Sequence, residues 1–110
     1  PHLHGVISSQ ELNDRREGER VTIAGLVVCR QRPGSANGVV FMLLEDEFAL
    51  MNVVIYPKRF EAQRQLIRLE PFVRIQGRVQ WRGPSPNVLA EHFEALRLPE
   101  LLASTSRNFH

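Results

Sequence analysis

The sequence contains very little cysteine and has no long hydrophobic run. Cys29 is the single cysteine among 110 residues, which excludes an intrachain disulfide and a zinc site built from several cysteines. No apolar stretch approaches the roughly 18–20 residues of a membrane-spanning helix, and residues 1–4 lack the pattern of a signal peptide. These absences predict a soluble, cytoplasmic protein. Because the chain begins with Pro1 rather than methionine, we expect it to be part of a larger parent protein.

Residue groups that indicate catalysis are also missing. The sequence has no glycine-rich phosphate loop, no Ser-His-Asp grouping and no His-x-x-x-His spacing. In the run Glu45–Glu47, strand alternation sets Asp46 opposite its neighbours, whereas two-metal phosphoryl transfer needs carboxylates that converge on ions about 3.5–4 Å apart. We therefore expect a solvated hairpin turn at this run. No active site, metal or cofactor is expected within the chain.

Positive charge is carried almost entirely by arginine. Lys58 is the only lysine, and the formal net charge is +2. A planar guanidinium stacks on bases and binds phosphate through two N–H groups at once, so this bias favours a nucleic-acid partner. Solvated surface arginines would give the same composition.

Five stretches rich in β-branched and aliphatic residues predict five strands. They are Val21–Cys29, Val39–Leu44, Leu50–Tyr56, Phe72–Arg82 and Val88–Leu96. Gly25 is placed to bend or bulge the first strand. Pro57 and the amphipathic residues after it predict one helix between the third and fourth strands.

The element order predicts an all-β OB-fold, a five-stranded Greek-key barrel with one helix between strands three and four. We assign residues 1–19 to a lead-in segment, 20–103 to the barrel and 104–110 to a tail, with a short closing helix or turn at Leu98–Ala103. OB-folds bind oligonucleotides and oligosaccharides across strands two and three, between the loops that join strands one to two and four to five. The sequence therefore predicts a nucleic-acid-binding domain.

Aromatic, amide and arginine side chains are expected around this face. The predicted nucleic-acid-binding residues are Arg30, Arg32, Phe41, Asn52 and Arg82. Phe41 would stack on a base, Asn52 would read a base edge, and the arginines would border the groove. Asn52 interrupts an otherwise aliphatic strand, which favours a specific hydrogen-bonding role.

Several of these assignments have a structural alternative. A phenylalanine in a small barrel, such as Phe41, is more often a core residue. Trp81 falls on the apolar face of strand four, which favours a role in the core or in loop support. The polar row on the other face of that strand, from Arg74 to Arg82, is typical of a solvated outer surface.

Three segments resemble the C-terminal region of bacterial C-family, DnaE-like DNA polymerases. They are Gly25–Phe41, with its Arg-Gln-Arg-Pro-Gly loop, Leu44–Glu47 and Asn52–Pro57. The ending Ser106–His110 is similar to the Ser-Arg-Asp-Phe-His-like close of the error-prone branch, which works in SOS-induced translesion synthesis. The resemblance covers roughly residues 21–110. Ala49 departs from it, since the family's hairpin usually has glycine there, and this change is expected to distort the turn.

The resemblance implies a parent that is a DNA-directed DNA polymerase acting in DNA replication and repair. Its Mg²⁺-binding carboxylates would lie in a palm domain outside this chain, so the chain itself would not be an enzyme. Its expected role is to hold single-stranded template DNA. A docking module for other translesion proteins is the alternative.

Strands two and three are also similar to the anticodon-binding OB domain of aspartyl-type tRNA synthetases. There the residues matching Phe41 and Asn52 stack on and hydrogen-bond an anticodon base. This similarity implies that Phe41 contacts a base, and it makes RNA an alternative ligand.

Overall fold

A computed structural model describes residues 5–34 and 37–97 of the chain. The elements are, in chain order, α1 (Ser9–Leu12), β1 (Arg20–Gln31), β2 (Val40–Glu45), β3 (Leu50–Ile55), α2 (Pro57–Ala62), α3 (Arg64–Leu69), β4 (Phe72–Trp81) and β5 (Pro86–Ala95). All five predicted strands are present, with ends that differ by at most two residues. The predicted closing helix at 98–103 and the tail at 104–110 lie outside the described residues.

The strands close into a barrel in the order β1–β2–β3–β5–β4. Strand β1 is long enough to pair with two neighbours, β4 along its first half and β2 along its second half. The pairs β2–β3 and β4–β5 are antiparallel, whereas β3 and β5 run parallel. This is the predicted OB-fold barrel.

The barrel interior is filled by the inward-facing residues of every strand, as the alternating sequence requires. Ile23, Ile55, Ile75 and Phe93 are almost completely buried there. The short helices add to the same core through apolar side chains. These are Leu12 of α1, Phe60 of α2 and Ile67 of α3. The lead-in segment therefore packs against the barrel rather than only preceding it.

The predicted helix between β3 and β4 is present but divided into α2 and α3 at Gln63. The backbone of Gln63 lies outside the helical region, with φ −135° and ψ 38°. The Gln63 side chain instead bonds to both backbone groups of Phe93, donating to its carbonyl at 2.7 Å and accepting from its N–H at 2.8 Å. These two bonds attach the helical segment to β5.

The run Glu45–Glu47 leads into the predicted β2–β3 turn, but Asp46 is not simply solvated. Its carboxylate accepts hydrogen bonds from the N–H groups of Phe48 at 2.9 Å and Ala49 at 3.0 Å, which closes the turn. It also accepts from Ser9, through the backbone N–H at 2.6 Å and the hydroxyl at 2.8 Å. The turn is therefore joined to α1. Ala49 has no positive φ, and its N–H and carbonyl both take part in this turn.

The ionised form of Asp46 is favoured by these contacts. Partial burial by itself raises the pKa of Asp46, but the hydrogen bonds from Ala49, Ser9 and Phe48 outweigh it and hold the pKa below the usual 3.8. A lowered carboxyl pKa contributes stability that is present above the pKa of the unfolded chain and is lost as pH falls through the folded pKa.

Replacing Asp46 with alanine is expected to destabilise the fold by about 1–3 kcal/mol, because several N–H donors lose their acceptor together. Asp46→Asn is the matched control, since its amide oxygen preserves one acceptor without the charge. The difference in unfolding free energy between the parent chain and Asp46→Asn should be constant above about pH 5 and should shrink below it. Urea denaturation between pH 3 and pH 7 measures both effects. A difference that is independent of pH would contradict the role of the charge.

Candidate nucleic-acid interface

The outer surface of β2 and β3 carries an exposed aromatic side chain. Phe41 lies between the buried residues Val40 and Met42, and 41% of its surface is exposed. It therefore points away from the core. The structure excludes the core alternative for Phe41, because the side chain is exposed on the outside of the barrel.

Asn52 lies on the same outer surface, in the middle of β3. Its partners in the sheet are Leu43 on β2 and Asn87 on β5. Phe41 pairs directly with Val54 on β3, which places it diagonal to Asn52, and with Gln31 on β1. Amide side chains from three strands, Gln31, Asn52 and Asn87, thus line the same cavity as this aromatic ring.

These residues line a shallow cavity of about 280 Å³. Its lining includes Cys29, Gln31, Phe41, Leu43, Asn52 and Asn87. Amides supply both donors and acceptors, and an exposed ring offers a stacking surface that suits any base. The cavity has the chemistry of a site for an unpaired base.

From the sequence, Gln31 and Asn87 were placed in the two loops beside the binding face and were not named as binding residues. Gln31 was assigned to the loop after strand one, although it lies two residues beyond Cys29, and continued alternation would have placed both on one face. Asn87 reaches the site only through the parallel pairing of β3 with β5. No local signal in the sequence specifies that pairing.

Arg30 does not lie with Phe41 and Asn52 on this surface. Its guanidinium donates from Nε to the carbonyl of Ile67 at 2.6 Å and from Nη2 to the carbonyl of Glu70 at 2.8 Å. These acceptors are the end of α3, where carbonyls lack partners within the helix. Arg30 therefore fixes α3 against the end of β1.

Arg32 is exposed at the start of the loop between β1 and β2. Its guanidinium carbon lies 4.7 Å from the centre of the Phe60 ring, a cation–π contact. The contact holds the guanidinium over the Phe60 ring, and the side chain remains exposed to water.

Arg82 directly follows β4 and forms an ion pair with Glu17 at 3.2 Å. Glu17 also accepts from the Trp81 N–H at 2.7 Å. That bond first, and then the Arg82 contact, lower the pKa of Glu17. The positive charge of Arg82 is therefore largely balanced within the fold. The indole N–H of Trp81 donates to the Arg15 carbonyl at 2.9 Å, so Trp81 supports the lead-in segment.

The polar row on the outside of β4 is balanced by carboxylates. Arg74 faces Glu94 at 3.7 Å, and Arg78 faces Glu91 at 3.3 Å. Exposed pairs of this kind add little stability, but they reduce the positive potential of the surface. The alternative of a solvated outer face fits this row better than a nucleic-acid surface.

Comparison with known proteins identifies the class of this fold. Residues 21–96 match the family described as OB-fold nucleic acid binding domain. The chain belongs to that family. The asparaginyl-tRNA synthetase of Pyrococcus horikoshii has the same fold in 84% of this chain and 23% of its own, with a TM-score of 0.69 and 20% sequence identity.

The curated relatives at higher identity are bacterial error-prone DNA polymerases. The chain is 39% identical over 106 residues to error-prone DNA polymerase 1 of Rhizobium meliloti, covering 96% of this chain and 10% of the relative. It is 44% identical over 92 residues to the error-prone DNA polymerase of Caulobacter vibrioides, covering 84% of this chain and 8% of the relative. The predicted resemblance is confirmed, and the chain spans about a tenth of the length of these relatives. Within residues 5–34 and 37–97, no helix is long and apolar enough to cross a membrane.

Proposed function

We propose that this domain holds single-stranded template DNA for a bacterial error-prone DNA polymerase during translesion synthesis. The observation that carries the proposal is the exposed Phe41 ring, which lies among Gln31, Asn52 and Asn87 on the ligand-binding face of the OB-fold. Damaged template bases pair poorly, so a domain that grips the strand by stacking rather than by base pairing suits that task.

In this proposal the polymerase reaction belongs to other parts of the parent protein, in the cytoplasm. Nucleotide transfer needs Mg²⁺ ions held by converging carboxylates. Within the described residues, no group of three or more His, Cys, Asp or Glu side chains is arranged to hold a metal ion. The domain supplies affinity for the strand, and the parent would supply the metal-dependent chemistry.

The isolated chain is expected to bind single-stranded DNA weakly and with little sequence preference. If about 3–4 phosphates are neutralised, the slope of log affinity against log salt should be near −2 to −3, from roughly −0.7 for each contact on a single strand. Fluorescence anisotropy with labelled oligothymidylate, duplex DNA and RNA of equal length measures the affinities and the slope. The proposal requires the single-stranded DNA to bind more tightly than the duplex.

The same titration separates the alternatives. Tighter binding of RNA than of DNA would favour an anticodon-type ligand. Equal binding to duplex and single strand, or binding that does not change with salt, would contradict the proposal that the domain holds single-stranded template DNA. Either result would favour a docking module for other translesion proteins.

A further inference from the structure

A second groove lies beside the Phe41 cavity, and four arginines line it. Its volume is about 340 Å³, and its charged lining residues are Arg30, Arg32, Arg64 and Arg68. No acidic side chain of the described residues belongs to the lining. A concave surface of one charge sign concentrates oppositely charged ligands. The groove is therefore suited to a polyanion.

The floor of this groove is built by Phe60. The ring is 6% exposed, and Arg32 stacks over it at 4.7 Å. Arg30 is held from below by the carbonyls of Ile67 and Glu70. Two of the four guanidiniums are thus fixed before any ligand arrives, which reduces the ordering cost of binding.

The other two guanidiniums extend from α3. Arg64 and Arg68 are four residues apart, so they share one face of the helix, where two like charges destabilise it. Glu61 lies 3.8 Å from Arg64 as an exposed partner. Within residues 5–34 and 37–97, no carboxylate forms an ion pair with Arg68. A bound phosphate would relieve the repulsion between these two arginines.

Gln31 connects the two surfaces, because it lines both the Phe41 cavity and the arginine groove. A strand with one base on Phe41 would therefore reach the groove by crossing the end of β1. We propose that the arginine groove is a second contact for the nucleic acid, binding the phosphodiester backbone of the strand as it leaves the Phe41 surface toward α3. This inference rests on the proposed function and extends the expected footprint to residues outside the β2–β3 face.

The test compares two lengths of oligothymidylate, with 4 and 12 nucleotides, on the parent chain and on the double variant Arg64→Ala with Arg68→Ala. The 12-mer should bind the parent chain with a steeper salt slope than the 4-mer. For the 12-mer, the slope of log affinity against log salt should be less steep by about 1.4 in the double variant, from roughly −0.7 for each lost phosphate contact. Its 4-mer affinity should be unchanged. Alanine maintains the helix, and circular dichroism checks the fold.

The matched control is Arg16→Ala with Arg20→Ala, which removes the same charge from two exposed positions that do not line either cavity on this side. This control variant should bind the 4-mer and the 12-mer slightly less tightly than the parent chain, with the same loss of affinity for both. A second readout is the NMR signal of the Arg64 and Arg68 side-chain Nε–H groups. These signals should shift on addition of the 12-mer and not of the 4-mer.

Three results would overturn the inference. One is that the double variant Arg64→Ala with Arg68→Ala loses equal affinity for the 4-mer and the 12-mer. Another is that its loss of affinity for the 12-mer is no larger than that of the control variant. The third is tighter, Arg64- and Arg68-dependent binding of a hexaglutamate peptide, which would assign the groove to an acidic protein segment. Failure of the proposed function would give a different result from all three. In that case the 4-mer would bind the parent chain no more tightly than it binds the Phe41→Ala variant.

Discussion

Replacing Phe41 with alanine is expected to weaken binding of single-stranded DNA by about 1–3 kcal/mol, or roughly 5- to 150-fold in Kd. The reason is that one base loses its stacking surface while the amides around it remain. The cost to stability should be near 1 kcal/mol, the size of a lost cross-strand contact with Val54. Truncating a buried phenylalanine would cost roughly 3–5 kcal/mol instead. Anisotropy titrations and thermal melts on the same preparation measure both quantities.

Phe48→Ala is the matched control for this experiment. Phe48 is also an exposed phenylalanine, 51% accessible, but it lies in the β2–β3 turn and does not line the cavity. Its removal should leave affinity within about twofold, well under the 1–3 kcal/mol expected for loss of a stacked base. If Phe41→Ala and Phe48→Ala bind alike, Phe41 is not the stacking platform and the template-grip proposal fails.

Arg32→Ala is expected to lower the affinity for single-stranded DNA less than Phe41→Ala does, and this loss should depend on salt. Loss of this loop cation should lower affinity and make the salt slope less steep by about 0.7. The variant should also be less stable by about 0.5–1 kcal/mol, because it loses the exposed cation–π contact with Phe60. This contact joins distant parts of the chain and could not be predicted from the sequence.

The barrel could be predicted from the sequence because its signals are local. Alternation along Phe72–Trp81, the aliphatic run Val39–Leu44 and the helix start at Pro57 each depend on neighbouring residues. These signals specify element type and order, and the order specifies the OB-fold. The outward orientation of Phe41 follows from the same alternation once Val40 and Met42 are assigned to the core.

The partners of the charged residues could not be predicted in the same way. Arg30 and Arg82 were expected at the binding face, but their positions depend on α3 and on the lead-in segment, which fold against them from distant parts of the chain. The contact between Asp46 and Ser9 joins residues 37 positions apart. A guanidinium or carboxylate with several possible partners is assigned only when the tertiary structure is known.

Gly25 was predicted to bend or bulge β1, and the barrel gives a different physical reason for a glycine at this position. At this point β1 moves from pairing with β4 to pairing with β2, and Leu26 pairs with both Phe72 and Glu45. A Cβ atom on Gly25 would overlap the carbonyl of Glu45 and lie 3.3 Å from Cγ of Leu44. Glycine is therefore required by the close approach of two backbones. The irregular register lies slightly further on, between Val27 and Cys29.

Gly25→Ala is expected to destabilise the barrel by about 1–3 kcal/mol or more, because backbone at a strand crossing relaxes less easily than a flexible side chain. For a domain of this size, each kcal/mol lowers Tm by roughly 4–8 °C. Gly34→Ala is the control, since no atom lies within 4 Å of its added Cβ and its φ is not positive. That variant should melt like the parent chain or slightly higher, by about 0.4–1 kcal/mol of reduced unfolded-state entropy.

The Gly25 variant also links the barrel closure to the binding site. Cys29 and Gln31 line the Phe41 cavity from the second half of β1, and they depend on the pairing of that half with β2. If the added methyl group separates the strands, affinity for single-stranded DNA should fall even at temperatures where the variant remains folded. Thermal melts and anisotropy titrations test both parts. A Gly25→Ala chain that melts and binds like Gly34→Ala would show that β1 and β2 approach each other less closely than the barrel geometry requires.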